Sequence, residues 1–333
     1  MRRERTAMLS LWVLLAMGVA ALLTPLVPVQ PPRRIDTTDA FAGPTLRLPE
    51  TPLYPPDADP AEREAVLEAG FGRLGPLSDA LLRLRVAVFG TWQLPSLCGT
   101  DLLGRDLFSR LLWGARISLA VGVVATMVSL VVGVTYGAVA GYFGGRVDNA
   151  MMRVVDILYS IPFIFVVIFL ITILNAETIK QTLQDRFGVD RMLVFFLVVG
   201  AVYWLTMARV VRGQVLALRG EAFVEAARSL GAGQTRIIFR HIVPNLMGVV
   251  IVYLTLTIPR VMLFEAFLSF LGLGVEPPDV SWGLLANEGI RAITPVQIYW
   301  WLVVFPGAAL GITLVALNFL GDGLRDALDP RMR

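Results

Sequence analysis

Six stretches of the chain are almost purely apolar and close to the ~20 residues that a helix needs to cross hydrocarbon. They lie at 7–29, 115–140, 154–175, 191–212, 246–271 and 297–320, with arginines gathered near their ends. A long polar insertion, about residues 30–100, separates the first from the second. Its proline- and aspartate-rich part, 43–60, reads as an extended surface segment. Asp59, Pro60 and Glu62 then spell a helix start: a side-chain cap, a proline in the first turn, and a carboxylate that can return to the cap backbone. That short helix is expected to run through about Leu67, and LSDALLRLRVAVFG reads as a second one capped by Ser78. The insertion is therefore expected to be a non-catalytic cap packed over the outer mouth of a membrane bundle.

The first apolar run follows MRRER. It is longer than a usual signal-peptide core, and PLVPVQPPRR offers no small-residue cleavage pattern, so an uncleaved first span is expected. Composition agrees with a bilayer. The 333 residues are 56% hydrophobic and only 17% charged, with a mean hydropathy of +0.69, too apolar for one water-soluble core of ordinary proportions. The pI near 9.3 would suit a nucleic-acid binder, but membrane orientation accounts for arginines at the ends of apolar runs, and no nucleic-acid partner is expected. Cys98, the single cysteine, permits no intramolecular disulfide. No Cys/His cluster has metal-ligand spacing, and His241, the only histidine, reads as a polar contact.

The arginines also give an orientation. Arg2, Arg3 and Arg5 precede the first span; Arg146 and Arg153 precede the third; Arg209, Arg212, Arg219, Arg228, Arg236 and Arg240 run from the end of the fourth toward the fifth; Arg325, Arg331 and Arg333 follow the sixth. In a six-span chain these are all one face, so both termini are expected to be cytoplasmic. The opposite face would hold the insertion, the mixed-charge loop 176–190 and the loop 272–296.

No energy source is encoded. A phosphate-cradling loop needs a lysine followed by Ser or Thr after a glycine-rich turn, whereas the one lysine, Lys180, is followed by Gln181. Transport driven by ATP would therefore need a separate motor and a handle for it to grip. The segment after Arg219 is suited to that role. Phe223, Ala226, Ala227 and Leu230 recur at helical spacing as an apolar stripe, flanked by Glu221, Glu225 and Arg228. Gly231 can end the helix in a left-handed conformation and Gly233 loosens the turn. A second short helix is expected from Thr235 to His241, with Pro244 opening the next span. An ordinary helical loop fits the same pattern.

At these residues the chain resembles a known family. Glu225, Ala226, Ala227, Gly231 and Pro244 match the EAA loop of ABC-importer permease subunits, whose pattern continues from Gly through nine residues to Ile, one residue, Leu and Pro. His241 stands at the Ile position and Val243 at the Leu position, so RHIVPN resembles the RHILPN variant of the dipeptide, oligopeptide and nickel permease family. GTDLLGRDLFSRLLWGARISL at 99–119, GYFGGRVDNAMMRVVDILYSIP at 141–162 and EAFLSFLGLGVEPPDVSWG at 265–283 resemble that family too. The resemblance covers about 99–330 in order.

It implies an all-α integral membrane protein of six transmembrane helices with the type I ABC-importer permease fold and an extracytoplasmic insertion after the first helix. The expected division is 1–29 for the N-terminus and first helix, 30–114 for the insertion and an interfacial helix, and 115–320 for a five-helix core carrying the coupling segment 213–244. A cytoplasmic tail, 321–333, completes it. The resemblance further implies a second permease subunit, two ATPase subunits and an extracytoplasmic substrate-binding protein, in a bacterial cytoplasmic (inner) membrane. The chain itself is expected to be no enzyme and to bind no cofactor, with ATP and Mg on the partners. Cargo in the family spans dipeptides, oligopeptides, nickel chelates and other small solutes.

Several residues carry sharper expectations. Glu265 lies within the fifth span, where a carboxylate is costly unless paired or wet; it faces either the pathway or partner permease, or a structural hydrogen bond inside the bundle. Arg260, one and a half turns earlier, is poorly phased to meet it and is a second candidate for the pathway or the subunit interface. Asp156 is expected to pair with a nearby arginine, and Gly137, Gly141, Gly144 and Gly145 to serve packing and loop geometry. In GTDLLGRDLFSRLL a surface helix would turn Leu102, Leu103, Leu107 and Leu111 to lipid or the bundle and keep Asp101, Arg105, Asp106 and Arg110 wet. Two other classes fit a polytopic chain: an ion-coupled secondary transporter, which would favour repeated halves and buried relays, and a non-transport membrane scaffold. No half of the chain duplicates another.

Overall fold

A computed structural model describes residues 2–49, 51–55, 57–174 and 191–328; the expected loop 176–190 with Lys180, and Arg331 and Arg333, lie outside the described residues. The described residues are helical, with only an isolated antiparallel bridge between Thr100 and Asp106. Helix α1 is Arg2–Leu23, α2 Pro60–Phe71, α3 Pro76–Phe89, α4 Leu107–Phe143, α5 Gly145–Ser160, α6 Phe163–Leu174, α7 Arg191–Leu218 and α8 Ala222–Ser229. Then come α9, Gln234–Phe270, α10, Trp282–Arg291, and α11, Trp301–Leu328.

Among the described residues Arg5–Leu26, α4, α9 and α11 are each long and apolar enough to span a bilayer, and counting each of two bent pairs as one span gives up to six. One pair is α5 with α6, bent by 84°; the other is α7, bent by 41° between Ala201 and Tyr203. The first bend falls at Ile161–Pro162. A proline forces the residue before it out of helical geometry, and Ile161 is extended, at φ −85° and ψ 125°.

The elements depart from the sequence reading at three places. Helix α2 runs on to Phe71, and α3 is capped by Gly75 with Pro76 in its first turn, not by Ser78, whose hydroxyl instead accepts from Arg116 Nη2 at 2.6 Å. The expected surface helix at 99–112 does not exist: residues 101–105 form a turn and α4 starts at Leu107 and continues into the span. The expected second short helix at 235–241 is the first part of α9. A single π turn, Ile237–Ile242, lets the helix continue past Pro244, with the Val243 amide reaching Ile238 O instead of the usual carbonyl. Proline has no N–H to give, and the wider turn takes up the register it disrupts.

The chain divides into two compact units. The first holds the described residues of Met1–Ser10, Val121–Phe264 and Ala316–Arg333. Its core joins Val134 and Ala138 of α4, Met207, Val211 and Val215 of α7, Val224 and Ala227 of α8, and Ile237, Ile238, Ile242, Leu246 and Val250 of α9. Gly133, Gly137 and Gly141 recur every four residues on the face of α4 that meets α7, which is how small residues let two membrane helices approach. A Cβ built on Gly137 would run into the Ala208 carbonyl, lie 2.9 Å from Val211 Cβ and 3.0 Å from the Arg212 amide nitrogen. Two of those are backbone atoms, which cannot swing aside. Gly137→Val is therefore expected to lower stability by about 1–3 kcal/mol, while Gly213→Val, with nothing within 4 Å, avoids that clash; thermal unfolding of both variants in detergent checks the contrast.

The second unit holds Leu11–Ala120 and Glu265–Val315. Within it the insertion has its own small core of Leu53, Tyr54, Ala58, Phe71 and Leu82. Backbone bonds tie it down, from Leu94 N to Pro28 O at 2.7 Å and from Asp36 N to Leu103 O at 3.0 Å. Arg85, fully buried, donates to Val29 O at 2.5 Å and lies over the Phe71 ring; burial pulls its pKa down to about 10.

Candidate functional site

Helix α8 presents two faces. Glu221 supplies the extended entry residue at φ −73° and ψ 150°, and the exit is a Schellman turn: Gly231 N bonds Arg228 O at 3.0 Å while Ala232 N reaches back to Ala227 O at 3.0 Å. Gly231 makes this possible with φ +80°, a conformation that a side chain disfavours. Inward, Val224 and Ala227 are buried in the core of the first unit. Outward, Glu225 and Ala226 are exposed, Phe223 is 37% exposed and Leu230 is 88% exposed.

The apolar stripe read from the sequence is thus split. Ala227 belongs with Val224, which the stripe omitted, on the rooted side. Phe223, Ala226 and Leu230 form a separate apolar face open to solvent, of the kind that marks an interaction surface. His241 and Pro244 lie elsewhere, in and just after the π turn; His241 gives its carbonyl to Asn245 Nδ2 at 2.6 Å.

A second constellation runs along the membrane helices of the same unit. Arg209 Nη2 bonds Asp156 Oδ1 at 2.8 Å, as expected for Asp156, and its guanidinium carbon lies 4.0 Å from the centre of the Tyr159 ring. Tyr159 Oη and Thr206 Oγ1 share a hydrogen at 2.5 Å. Deeper along α7, Tyr203 Oη donates to the Arg260 carbonyl at 3.1 Å. Arg212 grips the buried Asp148 with two bonds, Nε–Oδ1 at 2.5 Å and Nη2–Oδ2 at 2.7 Å. Arg260 is exposed.

Glu265 is corrected to the structural alternative. It is 1% exposed, and its Oε1 accepts from Ser269 Oγ and Ser281 Oγ, each at 2.7 Å. The same Ser281 hydroxyl accepts from Leu284 N at 3.1 Å and so caps α10. Held that way, the Glu265 side chain ties the loop after α9 to its last turn.

The GTDLLGRD charges are corrected as well. Asp101 and Arg110 are 4% and 1% exposed, not wet. Arg110 Nη1 bonds Asp101 Oδ2 and Glu288 Oε2 at 2.5 Å each, and Arg105 Nε bonds Asp101 Oδ2 at 2.7 Å. Two guanidiniums and two carboxylates balance. Glu288, on α10, carries no signal in the sequence, because the arginines it meets are far away along the chain, Arg110 178 positions before it and Arg105 183. Asp106 caps α4 through Ser109 N at 2.7 Å, and burial lifts its pKa to about 7 against those hydrogen bonds.

Long apolar helices and a rooted hairpin helix with an open apolar face are what the comparisons with known proteins must account for. The family model described as "Binding-protein-dependent transport system inner membrane component" matches residues 133–333. The chain is similar to the dipeptide transport system permease protein DppC of Bacillus subtilis, with 46% identity over 71% of this chain and 68% of that one. It shares 49% identity with the oligopeptide transport system permease protein OppC of Escherichia coli K12, over 71% of this chain and 72% of the relative. The glutathione transport system permease protein GsiD of Pectobacterium atrosepticum is 39% identical over 71% and 72%. The chain belongs to the binding-protein-dependent transport inner membrane component family. It is a multi-pass inner membrane protein, an ABC-importer permease with the type I fold, and it works with partner ABC subunits.

Proposed function

We propose that this chain forms half of the membrane pathway of an ATP-driven peptide importer. It pairs with a second, non-identical permease, docks one of two ATPase subunits that carry ATP and Mg, and receives cargo from an extracytoplasmic binding protein. Both termini and α8 face the cytoplasm, the insertion 30–100 caps the outer mouth, and Glu225, Ala226 and Gly231 belong to the coupling surface. The names of its relatives support peptides as cargo.

The observation that carries this reading is the two-sided α8. Val224 and Ala227 are packed among α4, α7 and α9, and close-packed interiors transmit displacement instead of absorbing it. A partner that moves Phe223, Ala226 and Leu230 therefore moves the three membrane helices with them. His241 and Pro244 stiffen the join, because the π turn keeps α9 continuous from the hairpin into the bilayer. The resulting cycle is that ATPase closure drives the coupling helices together and switches the two permeases from inward-open to outward-open.

Reconstitution tests this. In proteoliposomes holding the complete transporter, uptake of labelled di- and tripeptides is expected to require ATP, the binding protein and this subunit. Peptide uptake that persists without ATP, or ATP hydrolysis by the complex that never depends on this subunit, would contradict the reading.

A further inference from the structure

Arg260 sits deep in an apolar helix. No other charged residue occurs between Leu246 and Phe264, and Phe270, the end of α9, is ten residues further on, about 15 Å at 1.5 Å per residue. That is roughly the half-thickness of a hydrocarbon core of about 30 Å. A guanidinium there is costly toward lipid and is found facing a water-filled cavity or an opposite charge.

Four arginines on or beside the membrane helices have partners within the chain. Arg209 has Asp156, Arg212 has Asp148, Arg110 has Asp101 and Glu288, and Arg219 reaches the Gly141 carbonyl at 3.3 Å. Arg260 differs. It is exposed, and its guanidinium makes no hydrogen bond or ion pair among the described residues; the one bond recorded at this residue uses its carbonyl. Tyr203, which makes that bond, begins a line of polar groups on α7, continued three and six residues later by Thr206 and Arg209. The line is about 9 Å long. Its other charges cancel in pairs, so Arg260 leaves it with a surplus positive charge.

We propose that Arg260 is an anion-binding point in the pathway and that its ligand is a carboxylate of the cargo. The inference rests on the permease reading and takes the exposed side of this line to be the side shared with the pathway. A guanidinium is planar, permanently charged and shaped to hold a carboxylate with two parallel N–H bonds, in surroundings where water competes less than at a surface. A free peptide carries such a group at its C-terminus whatever its side chains, so one fixed cation serves cargo of varied sequence.

The test uses the complete transporter in detergent, without the binding protein, and measures equilibrium binding of one tripeptide as the free acid and as the C-terminal amide. Wild type is expected to prefer the free acid by about tenfold or more, the scale of a hydrogen bond to a charged group. Arg260→Gln should erase that preference and Arg260→Lys retain part of it. No preference in wild type, or an undiminished one in Arg260→Gln, overturns the proposal. Loss of the second permease from the purified Arg260→Gln complex also overturns it, because an acidic residue of that subunit would then be the ligand. Labelling of Arg260→Cys by a membrane-impermeant thiol reagent separates the two levels. If the introduced thiol labels but acid and amide bind alike, the pathway stands and the carboxylate site falls; if it never labels, both fall.

Discussion

Arg110→Met is expected to lower the stability of the chain by about 3–5 kcal/mol, the usual cost of removing one member of a buried ion pair. The side chain is 1% exposed and bonds both Asp101 and Glu288. Once it is gone, two carboxylates share the single guanidinium of Arg105, which reaches Asp101 at 2.7 Å but Glu288 only at 3.5 Å. Methionine keeps most of the volume, so the loss reports charge and hydrogen bonding, not a cavity. Pairing it with Glu288→Gln removes one uncompensated charge and should recover part of the deficit. Thermal unfolding of the single and double variants in detergent measures both. Equal destabilisation by the two would show that Glu288 contributes no charge interaction.

Leu230→Asp should leave the fold intact and uncouple the transporter. The position is 88% exposed after the last residue of α8, so a carboxylate there stays hydrated in the free chain. Against an apolar cleft on a partner it must be desolvated, and truncating or charging an anchor residue commonly costs about 2 kcal/mol or more, about 30-fold in affinity. ATP-dependent peptide uptake should fall by at least that factor with an unchanged melting temperature. Ala227→Asp, three residues away and buried at 8%, provides the opposite signature: it puts a charge into the core of the first unit and should unfold it. If Leu230→Asp transports normally, the outward face of α8 is not the docking surface.

Much of the architecture is legible in the chain because a bilayer leaves a coarse signature. Hydrocarbon length alone locates all six apolar runs. Their ends are harder to place. The second run reads as starting at 115, but Arg110 and Arg116 find partners on α10 and α3, and α4 starts at Leu107. The fifth reads as starting at 246 because Pro244 looks like a helix start, whereas a π turn carries the helix through it.

At the site, the same local reasoning succeeds where one helix contains the whole motif. Gly231 ends α8 through contacts within six residues. It fails where periodicity does not say which of two apolar faces points inward. Phe223, Ala226, Ala227 and Leu230 share a spacing, but only the packing of α4, α7 and α9 shows that Ala227 sides with Val224. Glu265 likewise depends on Ser281, 16 positions away in a loop, a partner no helical spacing reveals.

Ala226→Cys gives the most direct check on the coupling surface. Ala226 is exposed on the outward side of α8, and the native Cys98 is buried, its thiol pushed up to about 12 by burial and then by nearby Asp106, so it stays silent toward thiol reagents. A short thiol cross-linker applied to native membranes should join the introduced cysteine to a nucleotide-hydrolysing subunit, with a yield that changes on adding ATP. Efficient labelling of that cysteine with no such subunit captured, in either nucleotide state, would contradict the account.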